Sequence, residues 1–107
     1  MTYIGSTIPV HIRTHGAVSP EATDYAVEKL DAALQHTADP VVASWVTLDA
    51  AAPGDRVDAH VNISGIHVHV HAVGETLQEA TDIMQERLRS RLRRIRRRHG
   101  HDTPVAF

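Results

Sequence analysis

The chain has 107 residues, enough for one domain with its own core and too few for two. It contains no cysteine, which excludes a disulfide framework, a thiol nucleophile and a thiolate metal site. Its net charge of −2 conceals a strong asymmetry, because residues 1–86 carry three cations against twelve carboxylates while residues 87–107 carry eight arginines against Asp102 alone. Residues 1–10 lack the basic and apolar stretches of a signal peptide, and no apolar run approaches the ~18 residues of a spanning helix. The expectation is a cytoplasmic protein with no membrane partner.

In chain order, residues 8–13 alternate weakly and read as a short first strand that Gly16 ends. Ser19-Pro20-Glu21 is a helix start, with a Ser cap, Pro in the first turn and an acid near the positive end of the dipole. Ala22, Ala26, Leu30, Ala33 and Leu34 then recur at helical spacing to about His36, with Tyr25 beside them. Residues 41–48 are rich in β-formers and give a second strand, followed by the turn cluster 51–55.

The strongest pattern is a hairpin. Val57, Ala59, Val61 and Ile63 alternate in one strand, and Ile66, Val68, Val70 and Ala72 in the next, with Ser64-Gly65 as a two-residue turn. Counting outward pairs Val61 with Val68, Ala59 with Val70 and Val57 with Ala72. The opposite face then carries Asn62 beside His67, His60 beside His69 and Asp58 beside His71. A one-residue slip would mix the two faces, so the register is well specified.

Gly74 ends the last strand, and Thr76 with Glu79 forms a capping box. Leu77, Ala80, Met84, Leu88, Leu92 and Ile95 follow as one apolar stripe on a second helix of about 23 residues, about 34 Å long. At about 100° per residue, Arg87, Arg91, Arg94 and Arg98 line one flank of the stripe and Arg89, Arg93 and Arg96 the other, with Arg97 pointing away. A helix can thus bury its stripe and still offer guanidinium groups on three sides, the footprint of a phosphate-backbone binder. Residues 100–107 read as a flexible tail or the start of a linker behind a domain spanning 1–99.

The order β-α-β-β-β-α predicts an α+β two-layer sandwich, a four-stranded, mostly antiparallel sheet with both helices on one face. The helical crossover between the first two strands predicts that they run parallel.

This order, the pattern Gly16…Ser19-Pro20-Glu21-Ala22, Tyr25…Lys29-Leu30, Ile66-His67 and above all Gly74-Glu75-Thr76…Ala80-Thr81-Asp82…Arg87-Leu88…Arg91-Leu92-Arg93-Arg94-Ile95-Arg96 resemble the ribosome hibernation-promoting factor family, of the sigma-54 modulation or S30EA type. The resemblance covers nearly the whole chain. It implies a non-enzymatic translation inhibitor that binds the small ribosomal subunit near the decoding centre through 16S rRNA and acts in the stress response. It carries over Lys29, Arg87, Arg91, Arg94 and Arg96 as rRNA-binding positions, to which the arginine run adds Arg89, Arg93, Arg97 and Arg98. The chain departs from the family around the first helix, where Asp24, Glu28 and Asp31 stand and a further lysine near Ala33 is missing. Long members add a C-terminal dimerisation domain; the chain resembles either a short member or the N-terminal half of a long one, and no dimerisation is expected of these residues themselves.

Two other readings stand beside this one. A general double-stranded RNA-binding module would use the same arginines without ribosome specificity. A metal-responsive protein would use His60, His67, His69 and His71, since opposed Cβ atoms about 4.5–5.5 Å apart let His60 and His69 chelate one ion. Polar residues on an open sheet face explain those histidines more simply, so no metal and no cofactor is expected. Histidine protonation in acid would also add cations to that face. Catalysis finds little support: Asp49, Asp55 and Asp58 read as solvated acids near a turn, Ser64 sits in a hairpin turn, and Tyr25 and Trp45 read as core or sheet residues.

Overall fold

A computed structural model describes the backbone of residues 2–4, 9–35, 37, 39–51 and 53–102, and the side chains within 9–95 of those ranges. Seven elements follow in order: β1 Thr2–Ile4, β2 Pro9–His15, α1 Pro20–Leu34, β3 Val41–Asp49, β4 Asp55–Ile63, β5 Ile66–Gly74 and α2 Leu77–Asp102. The strands form one sheet in the order β1-β2-β3-β4-β5. β2 and β3 are parallel, as the α1 crossover requires, and the remaining pairs are antiparallel. The expected β-α-β-β-β-α core is present. The addition is β1, a three-residue edge strand that pairs Thr2 with His11 and Ile4 with Pro9. It is too short to show a period in the sequence.

The local signals act as their chemistry dictates. Ser19 is extended at φ −75° and ψ 156°, and its hydroxyl accepts from the Ala22 amide at 3.1 Å, which caps α1. Thr76 accepts from the Glu79 amide at 3.0 Å, while the Glu79 carboxylate reaches back to the Glu75 amide at 2.8 Å, one residue beyond the usual capping-box partner. Ser64 and Gly65 both have positive φ, 51° and 92°, which is the type I′ turn whose twist matches the strands it joins. The Gly65 amide also donates to the Asn62 side chain at 2.8 Å.

That turn sets the hairpin register expected from the alternation: Val61 opposite Val68, Ala59 opposite Val70, Val57 opposite Ala72, and His60 opposite His69. The apolar members of these pairs are buried, and both helices lie on their side of the sheet. α1 contributes Ala26, Val27, Leu30, Ala33 and Leu34, and α2 contributes Leu77, Ala80, Met84, Leu88 and Leu92, with Ile95 packed at the margin. Burying each large side chain stabilises the fold by about 1.5–3 kcal/mol. The opposite face, with His60, His67, His69 and His71, stays in contact with water.

Candidate nucleic-acid interface

The buried stripe fixes where the arginines of α2 point. Arg87, Arg89, Arg91, Arg93 and Arg94 are all exposed. Among the described residues no carboxylate pairs with any of them; the ion pair present is Arg56 with Asp58, 3.2 Å apart within β4. The side chains of Arg96, Arg97 and Arg98 lie outside the described residues, as do residues 103–107, where most of the expected tail falls. The backbone of α2 runs to Asp102, so the helix continues through residues 100–102.

The two flanks of α2 have different neighbours. On one side lies α1: the Gln85 side-chain amide donates to the Lys29 carbonyl at 3.1 Å, and the Tyr25 hydroxyl donates to Asp82 at 2.5 Å. The hydrogen bond to the Asp82 carboxylate holds Tyr25 in its protonated form and raises its pKa above the usual 10.0, with desolvation and the Asp82 charge adding to the effect. Lys29 is half-buried here, its ammonium 5.2 Å from the Tyr25 ring centre. On the other side lies β5. Arg87 Nη1 donates to the His71 carbonyl at 2.7 Å, and a groove of about 320 Å³ runs between the strand and the helix, lined by His69, His71, Arg87, Ser90, Arg91 and Arg94. The structure therefore brings Arg87, Arg91 and Arg94 together and sets Lys29 apart from them, across α2. Sequence reading missed Ser90, although its place beside the Arg87–Arg94 flank follows from helical geometry alone.

The open sheet face carries a ladder of rings. His11, Trp45, His60 and His69 occupy one cross-strand row, with centroids 5.5, 4.8 and 5.5 Å apart in turn. His11 and His60 stack on Trp45 from the two neighbouring strands, so the indole has little free face on which a base could stack. Trp45 is thus a sheet residue, as its sequence context suggested. The ring nitrogens of His60 meet those of His67, not those of its direct neighbour His69, with Nε2 and Nδ1 2.9 Å apart. The diagonal contact lies within the reach of imidazole side chains on adjacent strands. Partial burial lowers the His60 pKa below the usual 6.5, and repulsion from His67 and His69 adds to this. Among the described residues no three His, Asp or Glu side chains converge as a metal centre would need.

Asp49 accepts from the Ala51 amide at 2.9 Å, Asp58 pairs with Arg56, and Ser64 donates to the Pro40 carbonyl at 3.3 Å. These contacts organise turns and strand ends; they do not assemble a nucleophile with a base. No helix among the described residues is long and apolar enough to cross a membrane.

Residues 10–99 match the family described as Sigma 54 modulation protein / S30EA ribosomal protein. The chain belongs to that family. Membership makes it a ribosome-associated protein of the hibernation type. A ribosomal subunit interface protein from Coxiella burnetii has a similar fold, with a TM-score of 0.68 at 16% identity over 81% of this chain and 96% of that one. The N-terminal domain of Thermus thermophilus Protein Y is likewise similar, with a TM-score of 0.68 at 21% identity over 79% of this chain and 94% of that one. No curated protein matches the chain in sequence. The resemblance read from the motifs and the α+β sandwich expected from element order agree with these likenesses.

Proposed function

We propose that this protein binds the small ribosomal subunit near the decoding centre, lays α2 against 16S rRNA, and inhibits translation by occupancy without catalysing a reaction. The observation that carries this reading is the exposed arginine surface of α2, unpaired with carboxylates among the described residues, on a chain of this family. Guanidinium groups suit the role because their planar donors match phosphate oxygens and their charge releases the counterions condensed on RNA. The rRNA-facing set is Arg87, Arg89, Arg91, Arg93, Arg94 and the arginines at 96–98, with Lys29 a lesser member because it is half-buried against α2. In this reading the protein works in the cytoplasm during stress and needs no cofactor.

Co-sedimentation with purified 30S, 50S and 70S particles across a salt series tests the proposal. Binding should favour particles that contain the small subunit, and log affinity should fall linearly with log salt. Replacing Arg91, Arg94 and Arg96 together by Glu should abolish the association while the far-UV spectrum stays unchanged. Equal binding of wild type to arbitrary duplex RNA would favour the general RNA-binding module instead.

A further inference from the structure

The two arginine flanks of α2 are electrically unlike, and the flank of Arg87, Arg91 and Arg94 opens onto the groove beside β5. α1 carries Glu21, Asp24, Glu28 and Asp31 against the single cation Lys29, and it packs on the side of α2 that bears Asp82 and Gln85. By helical geometry Arg89 continues that side. By the same geometry Glu21 and Glu28 lie on the outer face of α1, and Asp24 and Asp31 turn away from α2. A polyanion approaching there meets Asp82 of α2 directly and the outer acids of α1 at longer range. The opposite flank, with Arg87, Arg91 and Arg94, faces the edge strand β5, and among the described residues no carboxylate lines the groove between them.

The strand edge contributes donors of its own. In a two-residue hairpin the closing residues, here Ile63 and Ile66, exchange both main-chain hydrogen bonds. Alternation then turns the amides and carbonyls of Val68, Val70 and Ala72 toward β4 and those of His67, His69 and His71 toward the outer edge. The Arg87 bond to the His71 carbonyl agrees with this assignment. The groove therefore combines the guanidinium groups of Arg91 and Arg94, the Ser90 hydroxyl and the outward amides of His69 and His71. Arg87 neutralises one of the edge carbonyls that would repel an anion.

We propose that this groove seats the phosphodiester backbone of the bound RNA, so that the protein makes its closest phosphate contacts by the β5 side of α2, while Arg89 and Arg93 on the α1 side add only longer-range attraction to the same ligand. The inference rests on the RNA-binding reading above and adds the side, the strand-edge amides and Ser90. An acidic peptide added as a further strand is the weaker occupant, because Arg87 already holds a carbonyl that such a strand must use.

Paired charge reversals on the full chain test it. R91E/R94E should lower 30S affinity by about a hundredfold or more, R89E/R93E by less than about tenfold, and Ser90→Asp should resemble the first pair although it alters no arginine. Equal losses from both pairs, or a larger loss from R89E/R93E, would overturn the groove while leaving ribosome binding intact. Wild type that fails to sediment with 30S would defeat the functional reading instead. The groove would then be judged by amide chemical shifts on adding a short RNA duplex. The largest changes should fall on His69, His71 and Ser90; shifts centred on Arg89 and Arg93, or displacement of the duplex by polyglutamate with β5 amide protection, would reject it.

Discussion

Arg87 and His71 are joined by a hydrogen bond from guanidinium Nη1 to main-chain oxygen, 2.7 Å long and sixteen residues apart in sequence. The bond ties α2 to the edge of the sheet and occupies a carbonyl that would otherwise invite another strand. The first arginine of the run is thus a structural contact as well as a cation. Arg87→Ala should lower stability by about 0.5–1.5 kcal/mol, whereas Arg91→Ala, exposed and without such a bond, should stay within about 0.5 kcal/mol of wild type. Urea titrations of the two variants measure the difference. Equal stabilities would mean that the tie carries no net energy.

Leu88 is fully buried at the centre of the α2 stripe, between Met84 and Leu92. Leu88→Ala removes its packing and leaves a cavity under the sheet, at a cost of about 2–5 kcal/mol. A denaturation midpoint shifted by less than about half a kcal/mol would show that the stripe does not pack there.

What was legible in the sequence depended on how local the determining physics is. The β4–β5 register could be counted from Ser64-Gly65 because a two-residue turn and period-two alternation leave one pairing that keeps both faces consistent. The α1 and α2 starts could be read from Ser19 and Thr76 because capping acts over three or four residues. β1 could not, since three residues have no period and their pairing with β2 is a tertiary contact. The arginine flanks followed from helical geometry, but which flank meets the sheet edge and which meets acidic α1 did not. That depends on how α2 lies across β5 and α1, which the helix alone does not encode. The His60–His67 contact was likewise out of reach, since it turns on side-chain rotamers across two strands.

Thr81 is fully buried, and its hydroxyl finds no hydrogen-bond partner among the described residues. Burying an unpaired hydroxyl costs about 1–3 kcal/mol, and valine fills the same space without it. Thr81→Val should therefore raise the melting temperature by several degrees, on the order of 4–8 °C for each kcal/mol recovered in a domain of this size. A lower melting temperature would mean that the hydroxyl is satisfied in solution.

The His60 and His67 nitrogens that face each other across 2.9 Å share a proton. A bound ion would have to displace that hydrogen bond and recruit further ligands, which the open face does not gather. A chelator should accordingly leave the melting temperature unchanged, because no folding free energy is linked to a metal. A clear drop on chelation, reversed by added zinc, would instead make the histidine cluster a metal site.

His60 also makes the fold sensitive to acid. Burial and the neighbouring His67 and His69 lower its pKa in the folded state below the usual 6.5, so between those two values the unfolded chain binds the extra proton more readily. Stability therefore rises with pH across that window: it is fully present above 6.5 and is lost as pH falls through the folded-state value. Trp45 stacks on the same ring from β3, and His67 and His69 press on it from β5, so protonation of His60 is opposed by its histidine neighbours. His60→Gln removes the titrating group. Between about pH 8 and about pH 5 the melting temperature of wild type should fall further than that of the variant. Parallel curves for the two proteins would show that His60 titrates alike in the folded and unfolded chains.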